Sequence, residues 1–208
     1  DTFLALARLL HGAHLSGKNF SERQMVLGLI SARMHDTGML QEANDSEGTG
    51  AKFTQAHVKL SMDFIEQHAD RLQFTGQEVA DLREVILCTD LTAEIPAINF
   101  STPQIELLGK MLGTADLIAQ MADRTYLEKL LFLYHEFKEA QMGEFKNEID
   151  FLHQTLNFYE ISGHRFDKIL DNTSRYMVPH FKERWDIQIN LYAESFTRQH
   201  TYLKKILA

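Results

Sequence analysis

The residues with the clearest potential for chemistry are a histidine and an aspartate at adjacent positions, His35 and Asp36. They follow the apolar pattern of a predicted helix and precede Thr37 and Gly38, which indicate a turn. Adjacent side chains point apart within a helix, but at a helix end both can reach one ion. An imidazole nitrogen and a carboxylate oxygen together suit Zn, Mn, Fe, Ni or Mg. The pair is also typical of a helix end followed by a surface aspartate.

A second candidate is Asp116, the charged residue of the otherwise apolar helical segment 112–118. A lone carboxylate on an apolar face is costly unless it is paired or bound to a metal ion. Small residues precede Asp116 in the sequence, so the alternative interpretation is an ordinary aspartate on the surface of a helix. By residue type, His35, Asp36 and Asp116 are candidate ligands of one divalent cation, and both alternative interpretations stay open at this point.

Two further residues, His57 and Lys52, could contact an anionic substrate. His57 begins the inward-facing stripe of a predicted helix, and Lys52 follows the glycine-containing residues 47–50. The spacing of these glycines is not that of a P-loop. A flexible loop is therefore the alternative interpretation for Lys52, and a hydrogen-bonded core histidine is the alternative for His57.

Composition narrows the function classes. The chain has 208 residues, of which 44% are hydrophobic and 24% charged, as in ordinary globular proteins. A formal net charge of -8 argues against a general nucleic-acid surface, so a small anionic substrate would need a local cation. A single cysteine cannot form an internal disulfide, which favours the cytoplasm. No apolar run is long enough to cross a membrane, and a homo-oligomer is compatible with this composition.

Apolar residues recur with helical spacing along almost the whole chain, and only 3 prolines and 11 glycines interrupt it. Helix starts are predicted at Ser21 and Thr75, where Gln24 and Glu78 complete a capping box three residues later. Another start is predicted at Thr102, because a proline follows it directly. These elements predict an all-α fold.

The pattern also predicts where helices end and how the chain is divided. The first helix is expected to end around residues 11–12, and a later helix is expected to break at Pro179. We predict a single domain, residues 1–208, with a motif-bearing core of residues 1–135 and a helical C-terminal extension of residues 144–208.

Three segments resemble, in the same order, the HD-domain metal-dependent phosphohydrolases, and among them the cyclic-nucleotide phosphodiesterase branch. Residues 34–38 (Met-His-Asp-Thr-Gly) are similar to the superfamily's His-Asp-x-Gly step. Residues 85–91 are similar to the phosphodiesterase helix that ends in a Thr-Asp pair, and residues 110–117 resemble the segment that carries the last metal-binding aspartate. The resemblance covers residues 34–120.

The resemblance implies an HD-type, phosphodiesterase-like helical bundle with the activity of a metal-dependent phosphohydrolase. The implied substrate is a nucleotide, cyclic or linear, or a similar small phosphoester, and the implied cofactor is a divalent metal that activates a water. Asp36 and His57 are then the predicted catalytic residues, and Lys52 and His57 the predicted substrate contacts. His35, Asp36 and Asp116 are the predicted metal ligands. A non-catalytic HD-type sensor or interaction domain that keeps the fold and the metal is the alternative.

The resemblance is incomplete at both ends of the chain. The glutamine and aromatic clamp that hold the purine in eukaryotic phosphodiesterases cannot be placed in the C-terminal part. The family's first metal-binding histidine lies further upstream of the His-Asp step than His11 and His14 do. Residues 1–10 resemble the helix that follows the phosphodiesterase motif Tyr-His-Asn-x-x-His, so we expect this motif before Asp1. His14 as a substitute ligand is the competing expectation.

Overall fold

The computed structural model describes residues 1–208 and confirms the all-α prediction, since no residue lies in a β-strand. Short 3-10 turns at Thr37–Met39, Gly50–Phe53, Ile95–Ala97 and Thr173–Tyr176, and a π turn at Arg165–Ile169, connect ten α-helices. In chain order, the helices are α1 (Thr2–Leu15), α2 (Glu22–Met34), α3 (His57–Gln67), α4 (Ala69–Leu72), α5 (Gly76–Leu87), α6 (Pro103–Met121), α7 (Tyr126–Glu139), α8 (Glu148–His164), α9 (Met177–Trp185) and α10 (Leu191–Leu207).

The structure confirms the three predicted helix starts. Hydrogen bonds between residues three apart in the sequence fix each of them. The Ser21 hydroxyl accepts the backbone N–H of Gln24, and the Gln24 side chain accepts the N–H of Ser21. Thr75 and Glu78 form the same reciprocal pair at the start of α5, and the Thr102 hydroxyl caps α6. Each contact satisfies backbone N–H groups that the first turn of a helix leaves without a partner.

Two predicted helix ends are wrong, for different reasons. Helix α1 continues through Gly12 to Leu15, and the glycine serves a packing contact rather than a helix end: a Cβ at Gly12 would lie 1.7 Å from the carbonyl oxygen of Tyr176. Pro179 does not break a helix but lies in the first turn of α9, where its N–H would have had no partner within the helix. The chain is interrupted instead on both sides of α9, at Asp171 and Asn172 before it and at Asp186 after it, all three with a left-handed backbone.

Helix α6 lies at the centre of the fold, with 12 of its 19 residues buried. It packs against α1, α2, α5 and α10, and the main hydrophobic core of 28 buried residues forms around it. Gly113 does not interrupt the helix, because it is a contact point with the end of α5: a Cβ there would lie 2.4 Å from the carbonyl oxygen of Cys88. Asp116 is one turn further along this buried helix.

The second half of the chain folds back over the first. Helix α9 packs against α1 and contributes Met177 and Phe181 to the main core. A smaller core of 7 buried residues, including the edge-to-face pair Tyr126 and Tyr159, joins the end of α6 to α7, α8 and α10. The predicted extension therefore covers the motif-bearing part. None of the helices combines the length and apolar character that a membrane crossing needs.

Candidate functional site

His35 lies directly after the last residue of α2, with 5% of its surface exposed. Its Nδ1 is 3.2 Å from the carbonyl oxygen of Ala32, one turn earlier. A carbonyl oxygen only accepts hydrogen bonds, so Nδ1 carries a proton and donates it, and Nε2 is left to face other groups. The end of α2 thereby sets both the position and the ring orientation of His35.

Two carboxylates from different parts of the chain face this nitrogen. Asp116, in α6, places Oδ1 3.2 Å from His35 Nε2, although 81 residues separate the two. Asp36 places Oδ2 at the same distance of 3.2 Å. The hydroxyl of Thr2, at the start of α1, donates to Asp116 Oδ1 at 3.5 Å. The structure thus brings together the three residues that the sequence predicts as metal ligands.

His57 joins this group from the start of α3. Its Nδ1 donates to the carbonyl oxygen of Thr54 at 2.6 Å, which leaves Nε2 3.6 Å from Oδ1 of Asp36. We call His35, Asp36, His57 and Asp116 the His–Asp cluster. The side chain of Asp36 is 60% exposed and that of Asp116 31% exposed. A small molecule can therefore reach the cluster from the side of Asp36.

Ser61 and Gly38 hold the turn after His35 against α3, and neither stands out in the sequence as a site residue. The Ser61 hydroxyl donates to the His35 carbonyl oxygen at 2.5 Å and accepts the Gly38 N–H at 2.8 Å. A Cβ at Gly38 would lie 2.1 Å from the carbonyl oxygen of His57, so only glycine allows this approach. A serine on the inward stripe of α3 is the sequence signal that points to this contact.

The charges of the cluster act on one another. Burial lowers the pKa of His35, but the hydrogen bond and charge of Asp116, with the charge of Asp36, outweigh it, so this pKa is raised overall. Loss of solvent raises the pKa of Asp36, His35 lowers it and Asp116 raises it, with a net increase. The cluster therefore favours a positive charge between its carboxylates, which a proton on His35 or a bound cation can supply.

The donor set fits a divalent cation, although the side chains are not already arranged around one. No three histidine, cysteine or carboxylate side chains have the arrangement of a ready-made metal site. The contacts of His35 Nε2 have instead the lengths of hydrogen bonds. One imidazole nitrogen and two carboxylate oxygens are ligands that Zn, Mn, Fe and Mg accept. Binding there requires loss of the Nε2 proton and an adjustment of the carboxylates.

Lys52 lies outside the His–Asp cluster. It is part of the turn Gly50–Phe53, and its Nζ is 2.6 Å from Asp45 Oδ1 and 2.5 Å from the carbonyl oxygen of Glu47. These contacts close the preceding loop on itself and use the charge of Lys52 locally. A contact between Lys52 and a phosphate at the cluster would require this ion pair to open.

The histidines of α1 also lie away from the cluster. Thr2, which contacts Asp116, begins α1, whereas His14 is exposed in its last turn, about 18 Å further along the helix axis. His11 pairs with His180 of α9, with their Nδ1 atoms 3.0 Å apart. The structure does not place His14 beside His35.

The fold and the cluster define an all-α protein with an imidazole–carboxylate cluster built from the end of α2, the start of α3 and the middle of α6. A family model described as Npun_R2479-like matches residues 4–201, nearly the whole chain. The chain therefore belongs to the Npun_R2479-like family, and the matched range includes every residue of the cluster. No curated protein and no solved structure matches the chain.

Proposed function

We propose that this protein is a metal-dependent phosphohydrolase that cleaves a nucleotide, cyclic or linear, or a similar small phosphoester. The observation that carries the proposal is the convergence of His35 and Asp36 with Asp116, from helices far apart in sequence, and with His57 beside them. His35, Asp36 and Asp116 stand at the motif positions of the HD-domain resemblance. An HD-type, phosphodiesterase-like bundle is accordingly the proposed fold family.

In this proposal His35 Nε2 and the carboxylates of Asp36 and Asp116 hold the divalent cation, Mg, Mn, Zn, Fe or Ni. Such a cation polarises a phosphoryl oxygen and makes a water molecule more acidic. Asp36, the most exposed member of the cluster, orients the attacking water through its carboxylate. His57, whose Nε2 faces Asp36, contacts the phosphate and can exchange a proton with it. Lys52 contacts the substrate only after it leaves Asp45.

The charge distribution supports a small phosphorylated substrate as the partner. The chain has 29 acidic and 21 basic residues, so its overall field repels nucleic acid, and an anion needs a local positive charge. The cluster offers such a charge where its carboxylates meet His35 or a cation. We place the protein in the cytoplasm, because its single cysteine, Cys88, is buried and free.

A non-catalytic sensor domain is the second candidate, and the contacts of His35 favour it. Nε2 already lies within hydrogen-bond distance of Asp36 and Asp116, so the polar groups of the cluster have partners without an ion. In that role, binding of a cation or a phosphorylated ligand would rearrange the end of α2 relative to α3 and α6 without turnover.

Metal analysis together with hydrolysis assays tests the proposal. The purified protein, supplied with Mn²⁺ or Mg²⁺, is expected to retain metal and to hydrolyse bis(p-nitrophenyl) phosphate, a cyclic nucleotide or a deoxynucleoside triphosphate. His35→Ala and Asp116→Ala should each reduce metal content and turnover, because water does not replace one of few protein ligands. His153→Ala and Asp70→Ala are the matched controls, since both residues are exposed and outside the cluster.

The outcomes separate the two candidates. Full metal content in either cluster variant would show that the substituted residue is not a ligand. A protein that retains metal but hydrolyses no member of the panel would favour the sensor, and a protein that neither retains metal nor turns over substrate would refute the phosphohydrolase proposal.

A further inference from the structure

A cavity of about 790 Å³ lies where the start of α1 meets the end of α6 and the helices α9 and α10. This volume is within the range of about 300–1,000 Å³ that is typical of ligand sites. The wall combines three aromatic rings with two arginines: Phe181, Trp185, Tyr192, Arg8 and Arg124. None of its lining residues belongs to the His–Asp cluster.

The cavity nevertheless borders the cluster. Ala119 lines it and lies three residues after Asp116 on α6, about 4.5 Å along the helix axis. At the start of α1, Asp1 lines the cavity, and the next residue, Thr2, donates a hydrogen bond to Asp116. The cavity and the cluster therefore share the start of α1 and the second half of α6 as common walls.

The two arginines of the wall are available to an anion. The guanidinium of Arg8 lies 5.7 Å from the ring centre of Phe181 and 5.6 Å from that of Tyr192, and one of its nitrogens donates to the Tyr192 hydroxyl at 2.7 Å. These contacts hold Arg8 in place while leaving it further N–H groups. The ion pairs of the structure involve other arginines, so neither Arg8 nor Arg124 has a carboxylate partner.

The acidic residues of the wall do not cancel this positive charge. Asp123 accepts hydrogen bonds from the ammonium of Lys129 and from the hydroxyl and N–H of Thr125, so its charge is already compensated. Asp1, the other acidic residue of the wall, is exposed, so solvent and salt screen its charge. Because the chain as a whole is acidic, two guanidinium groups without ion-pair partners at one cavity indicate an anion-binding surface.

The aromatic part of the wall includes the single tryptophan of the chain. Trp185, at the end of α9, is 53% exposed, and its ring centre lies 5.9 Å from that of Phe181. An exposed indole offers a large apolar face that a planar ligand can cover, with a favourable transfer of both surfaces from water. Rings and arginines together match a molecule that has an aromatic ring and an anionic group.

We propose that this cavity binds the aromatic ring of an organic phosphate of the nucleoside monophosphate class, with Arg8 and Arg124 contacting its anionic oxygens and Trp185 covering the ring. The assignment of this molecule as the substrate rests on the proposed phosphohydrolase function, whereas binding to the cavity does not.

Trp185 provides the test. It is the single tryptophan of the chain, so tryptophan fluorescence reports on the cavity wall alone. Adenosine 5′-monophosphate, titrated into the full chain in the presence of EDTA, is expected to change this fluorescence with saturation. Adenosine, which lacks the phosphate, and ribose 5-phosphate, which lacks the ring, should each bind at least about tenfold more weakly, the scale of one charge-assisted contact. Either one matching the nucleotide would overturn the corresponding half of the proposal.

Arginine variants locate the binding. Arg8→Gln and Arg124→Gln should each weaken nucleotide binding about tenfold, whereas Arg71→Gln, at an exposed arginine outside the cavity, should bind like the wild type. Arg124 is exposed, so its variant retains the fold and decides the test even if Arg8→Gln is unstable by circular dichroism. Equal affinity of Arg124→Gln and Arg71→Gln would overturn the proposal.

The two proposals can fail separately. Metal-dependent hydrolysis without fluorescence changes that depend on the arginines would refute the cavity and leave the phosphohydrolase. Nucleotide binding that depends on Arg8 and Arg124, without any hydrolysis, would refute the phosphohydrolase and leave the cavity as a binding site.

Discussion

Replacing Ser61 by alanine tests the contact that holds the turn after His35 against α3. Ser61 is fully buried, and its hydroxyl bonds to the His35 carbonyl oxygen at 2.5 Å and to the Gly38 N–H at 2.8 Å. In Ser61→Ala both backbone groups would stay buried and lose this partner. The substitution removes little apolar surface, so the expected effect comes from these two hydrogen bonds.

The expected loss of stability in Ser61→Ala follows from the His35 carbonyl and the Gly38 N–H, which both lose a hydrogen-bond partner. One buried donor or acceptor left without a partner costs about 1–3 kcal/mol. Relaxation of the turn recovers part of the sum, so we expect Ser61→Ala to lower the free energy of unfolding by about 2–4 kcal/mol. Such a loss is large against the roughly 5–15 kcal/mol of a typical domain.

Ser162 offers a matched control. Its side chain is also buried, with 1% exposure, but its hydroxyl has no hydrogen-bond partner. Ser162→Ala removes an unsatisfied polar group and should leave the free energy of unfolding unchanged or raise it. Urea titrations of both variants and the wild type, analysed with their m values, measure the difference.

The comparison can refute the reasoning directly. If Ser61→Ala and Ser162→Ala unfold at the same urea concentration, the hydrogen bonds of Ser61 do not hold the turn. If Ser61→Ala is destabilised as expected, it should also bind Mn²⁺ more weakly than Ser162→Ala does, because His35 and Asp36 then lose their fixed position.

Gly12→Ala should lower the free energy of unfolding by about 1–3 kcal/mol, because its Cβ would meet the carbonyl oxygen of Tyr176. Gly163→Ala on α8, where a Cβ has open space, should raise the free energy of unfolding by up to about 1 kcal/mol. Equal urea midpoints of the two variants would contradict this prediction. Burial, followed by neighbouring positive charges, lowers the pKa of His180 to about 4. The pKa of a histidine in the unfolded chain is about 6.5. The stabilisation that comes from burying a neutral His180 ring is therefore complete above about pH 6.5 and is lost as the pH falls toward 4. The urea midpoint of the wild type should therefore fall more between about pH 7 and about pH 4.5 than that of His180→Leu, and equal falls would exclude this contribution. Burial raises the pKa of the Cys88 thiol to about 12, so a thiol reagent at about pH 8 should label the unfolded chain and spare the native one; stoichiometric labelling of native protein would show that Cys88 is accessible.

The sequence by itself determined the fold class and the helix starts at Ser21, Thr75 and Thr102. Helical spacing of apolar residues and the capping boxes at Ser21 and Thr75 act over a few residues, so they can be recognised without tertiary structure. Sequence pattern also marked His35, Asp36 and Asp116 as residues of interest, because a carboxylate within an apolar helix needs a partner.

Only the tertiary structure decided where helices end at packing contacts. Gly12 and Pro179 are typical helix breakers by local preference, yet both lie inside helices. Gly12 lets the backbone of Tyr176 approach α1, and Pro179 occupies a first turn in which no hydrogen bond is lost. Local propensity cannot contain this information, because the partner of Gly12 lies more than 160 residues away.

The site itself also depended on long-range packing. The distance of 3.2 Å between His35 and Asp116 results from the packing of α2 against α6. The pairing of Lys52 with Asp45 results from the closure of its own loop. The sequence does not distinguish Arg8 from a surface residue, because an isolated arginine on an amphipathic helix is normally solvated. It became part of a cavity only because the folding of α9 and α10 over α1 brought aromatic rings against it.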